Sequence, residues 1–429
     1  MDLHDLTDVL TAPGPFVTVH VQSESAVEQA ADRYELLWKN VLRELEDKGV
    51  DERTREAVSA ARGTHDQGES RLVIATTSDG TVRLAVSLAS VPRRQVVDVA
   101  PLPHLLPLVD DVTTRVPHVL VRADHTGADV SAYYDTEHLA HEVTVKGHAP
   151  DIRRVQGGGW AHLHIQHRAV NGWDANAKEI VDAVVELAQQ VEARLIVATG
   201  EERQLVHVAR HLPTHLKDEY LEVPGGRGQD GSEPLVQQRV ADAVSRFVAE
   251  RTLDLLEEYT QERGQSKRAV DGLPGAVEAL RKAQVQTLLV TTALASGAPD
   301  PDAPDPGSSP HDTAAQASLP TSTLLFGPDP TQLGFTPEDL AALGVDDPQE
   351  GPVVDVLVRA ALGTAADVQV VPHEMPSAPQ AGVGAVLRYA DALTTGETVS
   401  ERSSGDPAST DHTAPDGTAV GAPGEAGAR

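Results

Sequence analysis

The residues best suited to chemistry lie in one stretch, "IRRVQGGGWAHLHIQHR", which we call the tip segment (residues 152–168). Its run of Gly157, Gly158 and Gly159 has almost no conformational preference, so the backbone is costly to order and free to approach a partner closely. The flanking side chains suited to an anion or an aromatic base are Arg153, Arg154, Trp160, His162, His164, His167 and Arg168. They predict contact with phosphates and stacking on an exposed base. The alternative is a plain surface loop whose tryptophan folds back on its own domain.

The three histidines of the tip segment raise the question of a metal, because neutral imidazole is a common ligand. On one helix His164 and His167 share a face, whereas His162 points away from His164. No carboxylate suited as a further ligand is obvious nearby. We therefore expect no metal and no cofactor, and favour RNA contact or ordinary surface histidines.

Motifs of self-contained enzymes are absent from the sequence. It contains no GxSxG, HExxH or Walker motif, and it has no cysteine for thiolate chemistry, disulfides or Cys-based metal sites. A second glycine-rich stretch, "PGGRGQDG" at 224–231, falls between a predicted strand and a predicted helix and is typical of a connecting loop. We assign no catalytic residue.

Composition limits the kind of partner. The net charge of −30 argues against nonspecific binding to nucleic acid or to anionic membranes, so RNA contact has to be confined to local basic surfaces such as the tip segment. The first residues, "MDLHDLTDVLTAPG", carry acids where a signal peptide needs bases, and no apolar run approaches ~18 residues. We expect a cytoplasmic protein without a membrane partner.

Hydrophobic periodicity predicts an α/β (α+β) chain of three domains. Residues 15–22 alternate as a half-buried strand, and a long helix is predicted after the glycines. Its apolar positions, spaced by three and four residues, are Val170, Trp173, Ala177, Ile180, Val184, Leu187 and Val191. The predicted domains are 1–113, 114–262 and 263–398, with a disordered insertion at about 295–320 and a disordered tail at 399–429.

The order of these parts resembles a known family. A hairpin, a Gly-Gly-X loop, a long helix and a strand–helix–strand are followed by "DGLPGAVEALRKAQVQTLLV" and "GVGAVLRY". This arrangement is similar to the archaeal and eukaryotic class-I peptide-chain release factors and to the ribosome-rescue factor Pelota. It is most similar to their bacterial branch, which includes the ribosome hibernation factor Balon. The resemblance covers roughly residues 114–398, and the first domain matches only in size and α/β character.

The resemblance implies where function lies and where it is altered. In the family a Gly-Gly-Gln tip precedes the long helix, and the glutamine helps to position the water that cleaves peptidyl-tRNA; here Gly158, Gly159 and Trp160 occupy those places. An indole has one N–H donor and no acceptor, so Trp160 cannot orient that water. The family's stop-codon loop is not found either, and its cysteine-containing motif cannot exist in this chain. Ribosome docking is therefore expected and termination is not.

The favoured function is a non-catalytic factor that occupies the A site of idle or stalled 70S ribosomes, a hibernation factor made under stress. Its tip segment would contact rRNA in the peptidyl-transferase region, and its third domain would bind elongation factor Tu, as the resemblance implies. The alternative is an enzyme, a rescue or release factor that promotes peptidyl-tRNA hydrolysis with a histidine near the tip. A third hypothesis is a scaffold that no longer contacts the ribosome.

Overall fold

The computed structural model describes residues 6–23, 30–64, 69–92, 95–136, 138–147, 160–226, 233–266, 268–296 and 323–390, with the backbone alone for 160–172. They form a mixed α/β structure, which confirms the predicted class. No helix in these ranges is long and apolar enough to cross a bilayer.

The first sheet is antiparallel, with strand order β3-β2-β1-β4. The helical spacing of Tyr34, Trp38, Val41 and Leu45 buries all four side chains in one cluster with the sheet, as expected of an amphipathic helix. The elements of this part are α1 (Thr7–Thr11), β1 (Phe16–Gln22), α2 (Ala30–Asp47), α3 (Glu52–Ala60), β2 (Ser70–Thr76), β3 (Val82–Leu88), β4 (Val96–Ala100) and α4 (Leu106–Thr114).

The strand β1 is buried on both faces from Phe16 to Val21, so the predicted half-buried strand was wrong. One face packs on α2 through Val17 and Val19. On the other face, Phe16 joins a cluster that extends into the last part of the chain. The Thr18 hydroxyl on this face accepts a hydrogen bond from the His104 backbone N–H at 3.2 Å.

The middle sheet has strand order β7-β6-β5-β8-β9. The strands β5, β6 and β7 are antiparallel, whereas β5, β8 and β9 are parallel. One face packs on the long helix α5 and on α6, and the other packs on α8, which gives three layers around β5 and β8. The elements are β5 (His118–Asp124), β6 (Gly127–Tyr133), β7 (Leu139–Lys146), α5 (Trp160–Val191), β8 (Leu195–Gly200), α6 (Glu202–His211), α7 (Thr214–Lys217), β9 (Tyr220–Glu222) and α8 (Glu233–Gln261), with a π-helical turn at Glu262–Ser266.

The last part of the chain contains a four-stranded sheet, β10-β16-β11-β15, and a three-stranded sheet, β13-β12-β14. The apolar helix α12 is buried along almost its whole length against both sheets. The elements are β10 (Ala269–Asp271), α9 (Leu273–Arg281), β11 (Val285–Thr291), α10 (Thr292–Ser296), β12 (Thr323–Phe326), β13 (Leu333–Gly334), α11 (Pro337–Ala341), β14 (Gln349–Pro352), α12 (Val353–Gly363), β15 (Asp367–Val371) and β16 (Val383–Leu387).

The first sheet and the four-stranded sheet share one hydrophobic cluster, in which Leu72 and Ile74 of β2 join Leu288 of β11. A polar contact lies beside it, with His104 Nδ1 at 2.7 Å from Asp355 Oδ1 of α12. The predicted domain limits at 113, 262 and 398 stay predictions. The predicted insertion, apart from its first two residues, and the predicted tail lie outside the described residues.

Candidate functional site

The helix α5 begins at Trp160, directly after the three glycines, so the predicted long helix after the glycine run is confirmed. The backbone of its first nine residues carries Trp160, His162, His164, His167 and Arg168, whose side chains lie outside the described residues. The other predicted members of the site, Arg153, Arg154, Gly157, Gly158 and Gly159, lie wholly outside them. Their roles in RNA contact therefore stay predictions.

The C-terminal half of α5 is the part that holds the helix on the middle sheet. From Ala177 onward, its apolar positions pack against β5, β6 and β8 in one cluster with α6. About 24 Å of helix axis separates Trp160 from the buried Asn176, at 1.5 Å per residue. The buried positions of this half are Ala177, Ile180, Val181, Val184, Leu187, Ala188 and Val191.

Gly147, the last described residue before 148–159, and Asn176 of α5 meet at the turn between β5 and β6. Gly147 follows β7, and its backbone N–H donates to the Thr126 carbonyl at 2.6 Å. A Cβ on Gly147 would lie 2.6 Å from Asn176 Nδ2, so the glycine lets the two elements approach closely. Asn176 in turn donates to the His125 carbonyl at 3.4 Å. These contacts hold the end of β7 and the middle of α5 side by side on the sheet.

A charged contact ties α5 to α6. Asp174 Oδ1 accepts a hydrogen bond from His211 Nε2 at 2.6 Å, and Asp174 Oδ2 lies 3.1 Å from Lys178 Nζ. His207 Nδ1 lies 3.7 Å from the same carboxylate. The hydrogen bonds from His211 and then Lys178 lower the pKa of Asp174 to about 2. The carboxylate is therefore ionised at neutral pH and holds the two helices together by charge-assisted contacts.

An aromatic contact lies beside this ion pair. The Trp173 ring packs edge-on against the His207 ring, with centroids 6.3 Å apart, and the Arg203 guanidinium lies 5.9 Å from the indole centroid. The Trp173 carbonyl accepts from Gln204 Nε2 at 3.4 Å. We call Trp173, Asp174, Arg203, His207 and His211 the α5–α6 joint.

The joint corrects one prediction and adds residues that the sequence did not identify as a site. Trp173 was predicted on the buried face of α5, but its side chain is only partly buried because it packs sideways against α6 instead of down onto the sheet. His207 and His211 are four residues apart on a predicted helix, a spacing that puts them on one face. That spacing could have indicated a histidine pair, but it could not identify Asp174 as the partner of His207 and His211, because Asp174 is distant in sequence.

No three His, Asp or Glu side chains converge as a metal site within the part of the chain whose side chains the structure describes. The tip histidines His162, His164 and His167 are not in that part, so the expectation that they bind no metal stays a prediction.

Comparisons with known proteins point to one family. Residues 117–265 match the model of bacterial archaeo-eukaryotic release factor family 2, a range that covers β5 to the turn after α8. The chain is 24% identical over 389 residues to the uncharacterized protein Rv2629 of Mycobacterium tuberculosis strain H37Rv, which covers 89% of this chain and 95% of that protein.

Solved structures align with the chain more loosely. Saccharomyces cerevisiae Dom34, a translation termination-like factor that interacts with Hbs1, aligns at 8% identity with a TM-score of 0.39, over 92% of this chain and 93% of Dom34. A model of ribosome-bound archaeal Pelota and ABCE1 aligns at 13% identity with a TM-score of 0.37, over 90% of this chain and 94% of that one.

Proposed function

We propose that the chain, whose residues 117–265 match the model of bacterial archaeo-eukaryotic release factor family 2, is a translation factor that occupies the A site of idle or stalled ribosomes. The observation that supports this most strongly is the start of α5. A helix anchored on the family's sheet begins at Trp160, immediately after Gly157–Gly159. That is the position at which the family presents its Gly-Gly-Gln tip. The tip segment of this chain would enter the peptidyl-transferase region of the large subunit of the 70S ribosome.

The chemistry of the tip segment favours occupancy over peptide release. Glycines let the backbone approach rRNA, and Arg153, Arg154 and Arg168 supply guanidinium groups that suit phosphate oxygens. Trp160, in the place of the family's glutamine, can pack or stack but has no acceptor for a water proton. We propose a cytoplasmic hibernation or stress factor that blocks the A site and does not promote hydrolysis of peptidyl-tRNA.

The rescue-factor alternative makes a different prediction in a peptide-release assay. On ribosomes that hold peptidyl-tRNA in the P site, we expect the protein to release peptide no faster than buffer, because positioned donors and acceptors are what general catalysis requires. The Trp160→Ala variant serves as the control and should give the same background rate. Release well above background that is lost on substituting His162 or His164 would favour the alternative instead.

Charge reversal in the tip segment tests the docking directly. We expect Arg153→Glu combined with Arg154→Glu to lower the affinity for vacant 70S ribosomes by about tenfold or more, because two phosphate contacts become repulsive. The dependence of affinity on salt should flatten by about two units of the log–log slope. The measurement is co-sedimentation across a KCl series. Unchanged binding by the double variant would contradict contact through the tip segment.

The proposed partner of residues 263–398 is elongation factor Tu, because the family docks a translational GTPase through this region. We expect purified protein and elongation factor Tu to associate more tightly on the ribosome than in its absence, since both would share the A-site region.

A further inference from the structure

The exposed side of α6 and α7 is a basic surface on a strongly acidic chain. Between Glu202 and Lys217 the only carboxylate is that of Glu202, whereas the whole protein has a net charge of −30. The basic side chains exposed here are Arg203, Arg210, His215 and Lys217, with the partly buried His207 at the edge. We call these five residues the α6 basic face. A local concentration of positive charge of this kind has to be explained separately from the composition of the chain.

Three cations of this face, Arg203, Arg210 and Lys217, have no carboxylate partner among the described residues. Many arginines elsewhere pair with carboxylates; Arg122 Nη2, for example, lies 2.6 Å from Glu233 Oε1, and Arg268 Nη2 contacts Glu262. In the described ranges, no carboxylate oxygen lies within 4.0 Å of the charged nitrogens of Arg203, Arg210 or Lys217. Their charge is therefore available to a ligand, and the partner that suits them is a polyanion.

The face is also continuous with the helix that carries the tip segment. The Arg203 guanidinium lies over Trp173 of α5, five residues after Arg168 of the tip segment. The α5–α6 joint fixes this neighbourhood through the bond from His211 to Asp174. A ligand that contacts the N-terminal half of α5 is therefore positioned to reach Arg203 and then Arg210.

The spacing on α6 suits a duplex backbone. Arg203 and Arg210 are seven residues apart, which places them on one side of the helix with about 10.5 Å of axis between them. Guanidinium groups bind phosphate oxygens through two parallel N–H bonds, and the partly buried Trp173 holds one of the two in place. Cations spaced along one side of a helix can contact the regular phosphates of A-form RNA by shape, without reading bases.

We propose that the α6 basic face is a second RNA-binding surface, which contacts the phosphates of a ribosomal RNA duplex next to the site entered by the tip segment. The proposal rests on the proposed function for the identity of the RNA, but not for the RNA-binding chemistry of the face. An acidic protein partner is the competing occupant, and the test distinguishes it.

The test compares single charge reversals at matched positions. Arg203→Glu, Arg210→Glu and the double variant are measured with the full-length protein, against Arg246→Glu on α8, which packs on the opposite face of the middle sheet. Arg210 makes no hydrogen bond, ion pair or ring contact with a described residue, so its reversal removes none of the contacts of the joint. Affinity is measured for vacant 70S ribosomes by co-sedimentation, and for a plain RNA duplex by fluorescence anisotropy, each across a KCl series.

We expect each reversal on the α6 basic face to lower the affinity for both ligands by about three- to tenfold. The log–log slope of affinity against salt should flatten by about one unit, while Arg246→Glu should change neither quantity. If the wild type binds the duplex but not the ribosome, and the reversals weaken that binding, the proposed function fails and the RNA-binding face stands. The inference is wrong if the double variant binds both ligands as tightly as Arg246→Glu does. It is also wrong if polyglutamate, at equal charge concentration, displaces the duplex.

Discussion

Replacing Ile180 by alanine is expected to lower the free energy of unfolding by about 2–5 kcal/mol and to weaken ribosome binding at the same time. The Ile180 side chain is fully buried between α5 and the middle sheet, in the cluster that also holds Ala177 and Val184. Truncation removes buried methyl and methylene groups and leaves a cavity that a helix lying on a sheet cannot fully close. Because the same contacts hold α5 in place, the tip segment at its start should be less well positioned.

The measurement is a urea titration of the variant together with ribosome co-sedimentation at a temperature where it is still folded. The control is Glu186→Ala, an exposed position of the same helix, which should change stability by no more than about 0.5 kcal/mol. A transition midpoint of Ile180→Ala equal to that of the wild type would show that α5 is not anchored through this side chain.

Stability is expected to fall by about 3 kcal/mol as the pH is lowered from 7 to 4, owing to His20. Its imidazole is buried in β1, with Nε2 at 3.0 Å from the Ser70 hydroxyl. Burial, and secondarily the nearby His104, lowers the pKa of His20 from 6.5 to about 4. As the pH falls from 6.5 to 4, His20 of the unfolded chain binds a proton while His20 of the folded chain stays neutral. The unfolded state is therefore stabilised relative to the folded state. The contribution of His20 to the free energy of unfolding is fully present above pH 6.5 and is lost as the pH falls towards 4.

The pH dependence is measured by urea titrations at closely spaced pH values. In His20→Asn, whose amide can still bond to Ser70, the part of the slope between pH 6.5 and 4 that belongs to His20 should disappear. The matched control is His215→Asn, the same substitution at an exposed histidine. If His20→Asn and the wild type lose stability in parallel, His20 does not carry this effect.

Local patterns in the sequence were sufficient for the long helix and for a hairpin of the middle sheet. The apolar spacing from Ala177 to Val191 identified the buried side of α5, because a helix on one sheet buries one stripe. The predicted hairpin corresponds to β5 and β6, which turn at Asp124–Gly127, where Gly127 has a φ of +140° that favours glycine. The family resemblance rested on these same parts.

What the sequence could not predict depends on contacts between distant residues. The burial of β1 on both faces follows from the cluster shared with β11, which no local period records. The strand β7 is an edge strand with most of its side chains exposed, so it lacks the alternation that reveals half-buried strands. Asp174 and His211 are 37 residues apart and meet only because α5 and α6 pack on the same sheet.

Co-sedimentation of the purified protein with vacant 70S ribosomes, with and without elongation factor Tu and nucleotide, shows whether the protein occupies the A site. If it does, the amount of protein that pellets should saturate at one molecule per ribosome and decrease as the salt concentration is raised. Absence of pelleting at both low and moderate salt, with elongation factor Tu present, would rule out this binding and leave residues 117–265 as a match to the family model without a ribosomal role.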